Sequence, residues 1–366
     1  MCKNMVVTIG GCGANVAKLL ALSSLLENSV NIYNIDSTVS HITNDMIDRI
    51  TYIPIQSDMS QGAGRDRERG KAMYLFHEEN HAFDEMYKVA SECKTPVIVI
   101  TSAAGGTGSG STVPFCDALI KRGIDVIPII ICPNKKDPAA FHLNTNDLFV
   151  DLSEIGIKTY AIFENRKGDA DYTPINTEVV EMIELLFGKR YDATDLDSID
   201  DSDLDKLLEM PGRIMAVQAE ASSLQVLQKE ITRKLFVGSQ PMWKADEVND
   251  NTLVTAFGLK SMFADVDFKN VFGEIDRRID PEKVFDNYRN IVKDDNDGLM
   301  SASVIIAGLP RSEIKEIKGD YKETAGLGDG VKRGVRPTFM KQKRASVETV
   351  KGGDGTSAIK KFKWTK

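Results

Sequence analysis

The sequence has few of the residues that build metal sites and covalent catalytic sites. It contains only four histidines and five cysteines among 366 residues. No two cysteines have CxxC or zinc-ligand spacing, so we expect reduced thiols, as is usual in cytosolic proteins. The histidines show no triad or metal-ligand pattern and are interpreted as structural, so no metal centre built by side chains is predicted: His41, His77, His81 and His142.

Long apolar runs are missing as well. No stretch approaches the roughly 20 apolar residues that a transmembrane helix needs. The opening MCKNMVVTIGG has no signal-peptide pattern. We therefore expect a cytoplasmic protein that makes no membrane contact.

Charge is unevenly distributed along the chain, whose net charge is −8. Residues 332–366 contain eleven lysines and arginines against only Glu348 and Asp354, a net charge of +9, which leaves about −17 for the rest. A basic tail on an acidic body predicts an electrostatic contact. Nucleic acid, a charged partner protein and the next copy of this chain all fit that description.

Apolar segments of strand length alternate with helical patterns in the first half of the chain. This alternation predicts an α/β fold, with a mainly parallel sheet and helices on both faces. The predicted strands are residues 4–10, 30–36, 49–55, 96–100, 125–133 and 157–165, and a long core helix follows at 177–187. In such sheets ligands bind at the carboxyl ends of the strands, and these ends are polar or glycine-rich here.

Two of the strand ends carry glycine-rich turns that lead into helices. GGCGAN covers residues 10–15 and AGGTGSG covers residues 104–110, with the second helix expected from about 111–114. Glycine lets backbone N–H groups approach an anion, and a helix N-terminus adds partial positive charge. A tight strand-to-helix turn explains either segment alone, but two such turns at the same sheet edge predict a nucleotide site.

Two common nucleotide motifs do not fit these turns. A Walker P-loop requires GxxxxGK[ST], and neither Gly-Lys pair of the chain continues to Ser or Thr. A dinucleotide-binding GxGxxG would need glycine where Val16 stands. AGGTGSG instead resembles the GGGTG[ST]G loop of the tubulin/FtsZ superfamily, with Ala104 in place of the first glycine. GGCGAN resembles the first loop of that family, with Ala14 in place of a glycine.

Other segments extend the resemblance in the same order along residues 4–310. QGAGRDRERGKA (61–72) resembles the third loop of the family, and FEN (163–165) resembles the segment whose asparagine reads the guanine edge. Asn176, placed just before the predicted long helix, resembles the second base-reading residue. IDDSDLDKLL (199–208) resembles the acidic loop and helix that complete the active site of a neighbouring subunit.

The resemblance implies a domain organisation. It implies a Rossmann-like parallel-sheet GTPase domain at 1–176, a long central helix with a catalytic loop and helix at 177–210, a second, α+β activation domain at 211–310, and a C-terminal helix with a basic tail at 311–366. The patterns in the second unit predict strands at 213–219, 252–259 and 302–309 and helices at 222–237 and 267–279.

The resemblance also implies GTP or GDP as the ligand, with Mg²⁺ held mainly by phosphates and water. The residues expected to hold the nucleotide are Gly11, Cys12, Asn15, Gln61, Gly62, Ala63, Gly64, Ala104, Gly105, Gly106, Thr107, Gly108, Ser109, Gly110, Asp137, Asn165 and Asn176. The arginines of the third loop either touch phosphate or form a solvated basic face, and the second reading is favoured: Arg65, Arg67 and Arg69.

Hydrolysis requires a group that orients water beside the γ-phosphate. By its position, Asp203 resembles the carboxylate that acts on the nucleotide of the next subunit, with Asp200 also in range. A solvated acidic loop that caps a helix explains the same residues, because Asp200 or Ser202 suits an N-cap position. The two readings are compatible.

The resemblance implies an assembly-dependent GTPase that forms longitudinal homopolymers. The chain looks most like the divergent plasmid and bacteriophage tubulins, with the TubZ group favoured over the PhuZ group because the tail is basic. That implies segregation of plasmid or phage DNA through a DNA-binding adaptor or DNA at residues 332–366, in bacterial or phage-infected host cytoplasm. The alternatives are a PhuZ-like filament that centres phage DNA and a nucleotide-binding scaffold with little turnover.

Overall fold

The computed structural model describes residues 4–38, 48–56, 62–134, 136–165, 171–188, 201–240, 248–293 and 299–310, without the side chains of residues 201 and 264–266. These residues all fall within Met1–Ala325, one of the two units into which the chain divides.

The first half forms a parallel sheet covered by helices on both faces. Its elements in chain order are β1 (Asn4–Ile9), α1 (Gly10–Leu22), β2 (Val30–Asp36), β3 (Ile50–Pro54), α2 (Arg67–Glu79), α3 (Asp84–Glu92), β4 (Val97–Ser102), α4 (Gly106–Ile120), β5 (Val126–Cys132), α5 (Ala139–Glu154) and β6 (Thr159–Glu164). The strand order is β3-β2-β1-β4-β5-β6, and all neighbours are parallel. The predicted α/β fold class is confirmed.

The second half continues the same sheet through a short parallel pairing. After α6 (Thr173–Phe187) and α7 (Asp201–Glu209), the elements are β7 (Gly212–Ala221), α8 (Leu224–Val237), β8 (Leu253–Ser261), α9 (Ala264–Arg278), β9 (Val284–Lys293) and β10 (Met300–Leu309). β7 joins β6 at Thr159 and Tyr160. β10 lies between β7 and β8 and is antiparallel to both, and β9 forms the outer edge.

Three apolar clusters hold these layers together. One cluster places α1, α6 and α7 against one side of the sheet, where Leu207 and Leu208 of α7 are buried. A second packs α2, α3, α4 and α5 against the other side of the first-half strands. The third packs α8 and α9 against β7, β8 and β10. The helix that the resemblance implied within residues 199–208 is thus present as α7, and Leu204 packs against the same cluster.

The structure corrects three sequence-based boundaries. GGCGAN, expected as a turn before a helix, forms the start of α1 from Gly10. The helix expected from about residue 111 begins at Gly106, so most of AGGTGSG is helical rather than a loop. The central helix begins at Thr173 rather than at residue 177, because Pro174 occupies its first turn, where proline is favoured. Asn176 therefore lies inside α6 and not before it. β9 was not predicted.

Candidate nucleotide site

Parallel pairing brings the ends of β1, β2 and β4 side by side. Ile9 of β1 is in register with Ile35 of β2 and with Thr101 of β4. The chain leaves all three strands at the same edge of the sheet. The first residues of α1, the polar end of β2 and the turn before α4 are therefore neighbours.

Side-chain and backbone hydrogen bonds tie this edge together. The Ser37 and Thr107 hydroxyl groups lie 2.6 Å apart, across the gap between β2 and α4. The backbone N–H of Gly62 donates to the carbonyl oxygen of Ser37 at 3.1 Å. The structure thus brings together Gly62 and Thr107, which were predicted, with Ser37, which was not. Gln61 lies outside the described residues.

The glycines of AGGTGSG have two different environments. A Cβ on Gly106 would crowd the backbone of Asp66, and one on Gly110 would overlap the carbonyl oxygen of Arg67. These two glycines let α4 lie against the start of α2. A Cβ on Gly105 would meet nothing within 4 Å. Gly105 is thus the glycine of this segment that faces open space, directly before the N–H groups of the first turn of α4.

The remaining residues of this segment support the turn. The hydroxyl of Ser109 donates to the carbonyl oxygen of Gly105, and Ser109 is fully buried. Ala104 is buried and its N–H donates to the hydroxyl of Ser102 at 3.3 Å. Among the described residues, those with positive φ do not include Ala104 or Ala14. The two alanines that replace family glycines therefore cause no left-handed strain.

The predicted residues of the first loop all lie in the first turns of α1. Gly11 and Cys12 are half-buried, and Asn15 is exposed. Burial raises the pKa of the Cys12 thiol to about 12. A packed, protonated thiol fits the interpretation of Cys12 as a packing residue beside the site.

The turn at residues 62–65 is held by α5. Gly62, Gly64 and Arg65 have φ values of 77°, 61° and 64°. The side-chain amide of Asn144 donates to the carbonyl oxygen of Arg65 at 3.1 Å and to that of Ala104 at 3.0 Å. Ala63 is buried and Gly64 is exposed. Asn144 was not predicted, because it lies on a helix without a recognised motif.

One arginine of this segment, Arg67, differs from the favoured reading of a solvated face. Arg67 is buried; its Nη2 contacts Asp151 Oδ2 at 2.5 Å, and its Nε donates to the carbonyl oxygen of Ser109 at 3.2 Å. Arg65 is exposed and its guanidinium lies over the Phe141 ring, 4.8 Å from the centroid. Arg67 therefore joins α2 to α4 and α5 instead of facing solvent.

Two buried amides lie at the end of β6 and the start of α6. Asn165 is 8% exposed and Asn176 is 4% exposed. Among the described residues, nothing accepts from Asn165 Nδ2 and nothing donates to Asn176 Oδ1. A buried polar group without a partner costs about 1–3 kcal/mol. A bound ligand that offers one acceptor and one donor here would satisfy both groups.

Tyr172 places this pair beside two other predicted residues. Burial raises the pKa of Tyr172, the carboxylate of Asp137 and the thiol of Cys12 raise it further, and the neighbouring side chain of Asn165 lowers it. Tyr172 is 37% exposed. Asp137 accepts from the backbone N–H of Asn134 at 2.8 Å, and the amide of Asn134 donates to the carbonyl oxygen of Asn165. Cys12, Asp137 and Asn165, all predicted, therefore surround Tyr172, which was not.

Asp203 lies elsewhere in the fold. Its carboxylate, 21% exposed, is 3.5 Å from Lys206 Nζ, which also donates to the Tyr288 hydroxyl of β9 at 3.2 Å. The residue after α7, Met210, accepts a hydrogen bond from Thr159 at the amino end of β6, whereas Asn165 follows the carboxyl end. The contacts described for Asp203 therefore do not include the glycine turns. Asp200 lies outside the described residues.

Solved structures share the fold of this chain along most of its length. A protofilament of Bacillus thuringiensis serovar israelensis TubZ in its GTPγS form matches 88% of this chain and 92% of its own, with a TM-score of 0.68 and 17% identity. CetZ from Methanosaeta thermophila strain DSM 6194 matches 89% and 92%, with a TM-score of 0.65 and 17% identity. An empty FtsZ dimer of M. jannaschii matches 84% and 88%, with a TM-score of 0.61 and 16% identity.

The chain has the tubulin/FtsZ fold. The predicted resemblance to the tubulin/FtsZ superfamily is confirmed at the level of the fold, and TubZ is among the similar structures. No protein-family model and no curated protein sequence matches the chain.

Two further features of the described residues bear on the site. No helix in the described part of the chain is long and apolar enough to cross a membrane. In the same residues, His, Cys, Asp and Glu side chains form no group of three that could hold a metal ion.

Proposed function

We propose that this chain is a GTPase that forms filaments and hydrolyses GTP between adjacent copies. The observation that carries the proposal is the pair of unused amide groups on Asn165 and Asn176. The guanine edge offers one acceptor, O6, next to the donors N1–H and N2–H₂. A protein donor and a protein acceptor that both reach the base would complement that edge.

The other residues of the edge suit the rest of the nucleotide. Tyr172 offers an aromatic face beside Asn165, on which a purine can stack. Asp137 lies near Tyr172 and suits a ribose hydroxyl. The phosphates would reach the N–H groups at the start of α4 beside the open space at Gly105, with Thr107, Ser109, Gly11, Asn15 and the segment Gln61–Gly64 around them.

Mg²⁺ is part of the proposal because phosphates of a bound triphosphate need charge neutralisation. Mg²⁺ typically keeps several waters and takes few protein ligands in phosphate sites. The hydroxyl groups of Ser37 and Thr107 are neutral oxygen donors at this edge. That donor set fits an ion held chiefly by phosphate and water, and the ion would lower the negative charge on the transferred phosphate.

Asp203 is proposed as the carboxylate that orients the attacking water, with Asp200 as the second candidate. Because Asp203 contacts Lys206 and lies beside β9, we infer that it serves the nucleotide of a second copy. This assignment requires longitudinal contacts between copies. The similar TubZ structure is described as a protofilament, which supports assembly.

Phosphate release at increasing protein concentration tests this proposal. We expect GTP turnover per molecule to rise with concentration, and filaments to appear in electron micrographs with GTPγS. Asp203→Ala should abolish most turnover and keep filaments. Turnover per molecule that is constant from nanomolar to micromolar protein, or unchanged in Asp203→Ala, would contradict hydrolysis between copies.

The cellular role proposed is the segregation or positioning of plasmid or phage DNA. The basic tail at 332–366 supports it, because a charge of +9 suits DNA or an adaptor on DNA. Pull-down of DNA and of small DNA-binding proteins, with and without residues 332–366, tests this role. If the truncated protein retains the same DNA or adaptor, the tail is not the contact.

Domain limits at 176, 210 and 310 are part of the proposal, although α6 extends across the first of them.

The second candidate function is a nucleotide-binding filament scaffold with little GTP turnover. It is favoured by the ion pair that engages Asp203 within its own chain. Stable GTP filaments with negligible phosphate release would select it.

A further inference from the structure

Asn144 connects the two turns on either side of the proposed phosphate site. Its single Nδ2 group donates to Arg65 O at 3.1 Å and to Ala104 O at 3.0 Å. Arg65 ends the turn that begins at Gly62, and Ala104 belongs to the turn before α4. One amide therefore fixes the spacing between two backbone segments that are far apart in the sequence.

The turn that Asn144 holds is conformationally strained. Arg65 has a φ of 64°, a left-handed conformation that is unfavourable for a residue with a Cβ. Such conformations persist where surrounding contacts stabilise them. Here those contacts come from α5, because Phe141 lies under the Arg65 guanidinium and Asn144 binds the Arg65 carbonyl oxygen.

A third contact extends the same side of α5. Asp151 binds Arg67, the first residue of α2, and Arg67 in turn donates to Ser109 O of α4. Phe141, Asn144 and Asp151 lie on one face of α5, which follows from their helical spacing. This face holds the 62–65 turn, the start of α2 and the start of α4 in one arrangement.

We propose that Asn144 is a positioning residue that sets the affinity of the site for the terminal phosphate of GTP. It keeps the turn at 62–65 at a fixed distance from the turn at 104–105, so that both present N–H groups to the same phosphate. A diphosphate contacts the second turn without needing the first. This inference rests on the proposed function and adds a residue from an element without a recognised motif.

Binding of GTPγS and GDP to dilute protein tests the effect on affinity. Asn144→Ala should weaken GTPγS about five- to tenfold, the loss expected for a hydrogen bond of roughly 1 kcal/mol, and should change GDP less than about twofold. The control is Asn80→Ala, whose Nδ2 donates to Phe76 O in the same way at the far end of α2. An equal loss for both nucleotides, or no loss, would overturn the proposal.

Amide hydrogen exchange without nucleotide tests, independently of GTP, whether Asn144 holds the two turns together; this contact is called the clamp below. Residues 62–66 and 103–105 should exchange faster in Asn144→Ala and at the wild-type rate in Asn80→Ala. Unchanged exchange would overturn the clamp. Should the wild type bind neither nucleotide, the proposed function and the role in affinity both fail, whereas faster exchange would still establish the clamp itself.

Discussion

At the residue scale, two buried side-chain amides lose their hydrogen bonds to water on folding, and no group of the described chain replaces those bonds. Asn165 Nδ2 and Asn176 Oδ1 have no partner among the described residues. Removing an unpaired buried group costs little stability, whereas removing a ligand contact costs affinity. Stability and binding are thus expected to respond differently to the same substitution, which separates a binding residue from a packing residue.

Asn165→Ala should therefore weaken GTP binding and leave the fold intact. We expect Kd to rise about ten- to a hundredfold, from the roughly 1–3 kcal/mol of a hydrogen bond left unmade, with Tm nearly unchanged. Fluorescence titration and thermal melting measure the two quantities. Asn290→Ala is the matched control, since Asn290 is also buried with an unpaired Oδ1 but lies on β9. Equal effects from both variants would contradict a base-reading role.

Cys12 is predicted to be a poor nucleophile although it is half-buried next to the site. Burial raises its pKa to about 12, so at pH 8 the reactive thiolate is rarer than for an ordinary thiol of pKa near 8.5. Alkylation by N-ethylmaleimide at pH 8, followed by mass spectrometry, should modify Cys12 at least about tenfold more slowly than Cys93. The rate should increase as the pH rises towards 12. Preferential labelling of Cys12 at pH 8 would count against this prediction.

At the scale of elements, the glycines of α4 serve packing as well as binding. Gly110→Ala should destabilise the protein, because the added methyl group would overlap Arg67 O of α2, and overpacking costs about 1–3 kcal/mol. Gly273→Ala in α9 meets nothing within 4 Å and should stabilise by about 0.5–1 kcal/mol through helix propensity. Urea unfolding compares the pair. A Gly110→Ala protein as stable as Gly273→Ala would refute the close contact of α2 and α4.

The same glycines explain what sequence reasoning could and could not reach. AGGTGSG predicted a nucleotide site at this sheet edge and suggested a loop, since six of its seven residues are glycine, serine or threonine, which are poor helix formers. Contact with α2 overrides that propensity, and helix α4 begins at Gly106. β9 escaped prediction because its more buried positions include the polar Asp286 and Asn290 whereas Phe285 is exposed, so the sequence shows no alternation of apolar and polar residues. Tertiary neighbours decide both cases.

Residues that work through the backbone were the least predictable part of the site. Asn144 and Ser37 contact the glycine turns through carbonyl oxygens or a hydroxyl. Such partners leave no spacing pattern in a single sequence. Tyr172 had a weak sequence signal. It is an aromatic residue directly before the Pro-containing first turn of α6, at the same end of the helix as Asn176.

At the scale of the whole molecule, the catalytic assignment depends on two copies. Asn165 follows the carboxyl end of β6, whereas Met210, which follows α7, binds Thr159 at the amino end of that strand. Asp203 contacts Lys206, which in turn contacts β9. If Asp203 has a role in hydrolysis, a single copy holds its nucleotide site and its Asp203 in different places. Its nucleotide site then works with Asp203 of one neighbouring copy, and its own Asp203 works with the nucleotide site of another.

Mixing two inactive variants tests this arrangement directly. Asp203→Ala keeps the nucleotide site but lacks the carboxylate. Gly105→Trp keeps Asp203 but fills the open space at Gly105, and nucleotide titration must first show that it no longer binds GTP. Each variant alone should release little phosphate. An equimolar mixture should regain a substantial part of wild-type turnover, because Asp203 of one variant meets GTP held by the other. As a control, a second portion of Asp203→Ala in place of Gly105→Trp should restore no turnover, because it adds intact nucleotide sites but no Asp203. A mixture as inactive as its components would place catalysis within one chain or on another residue.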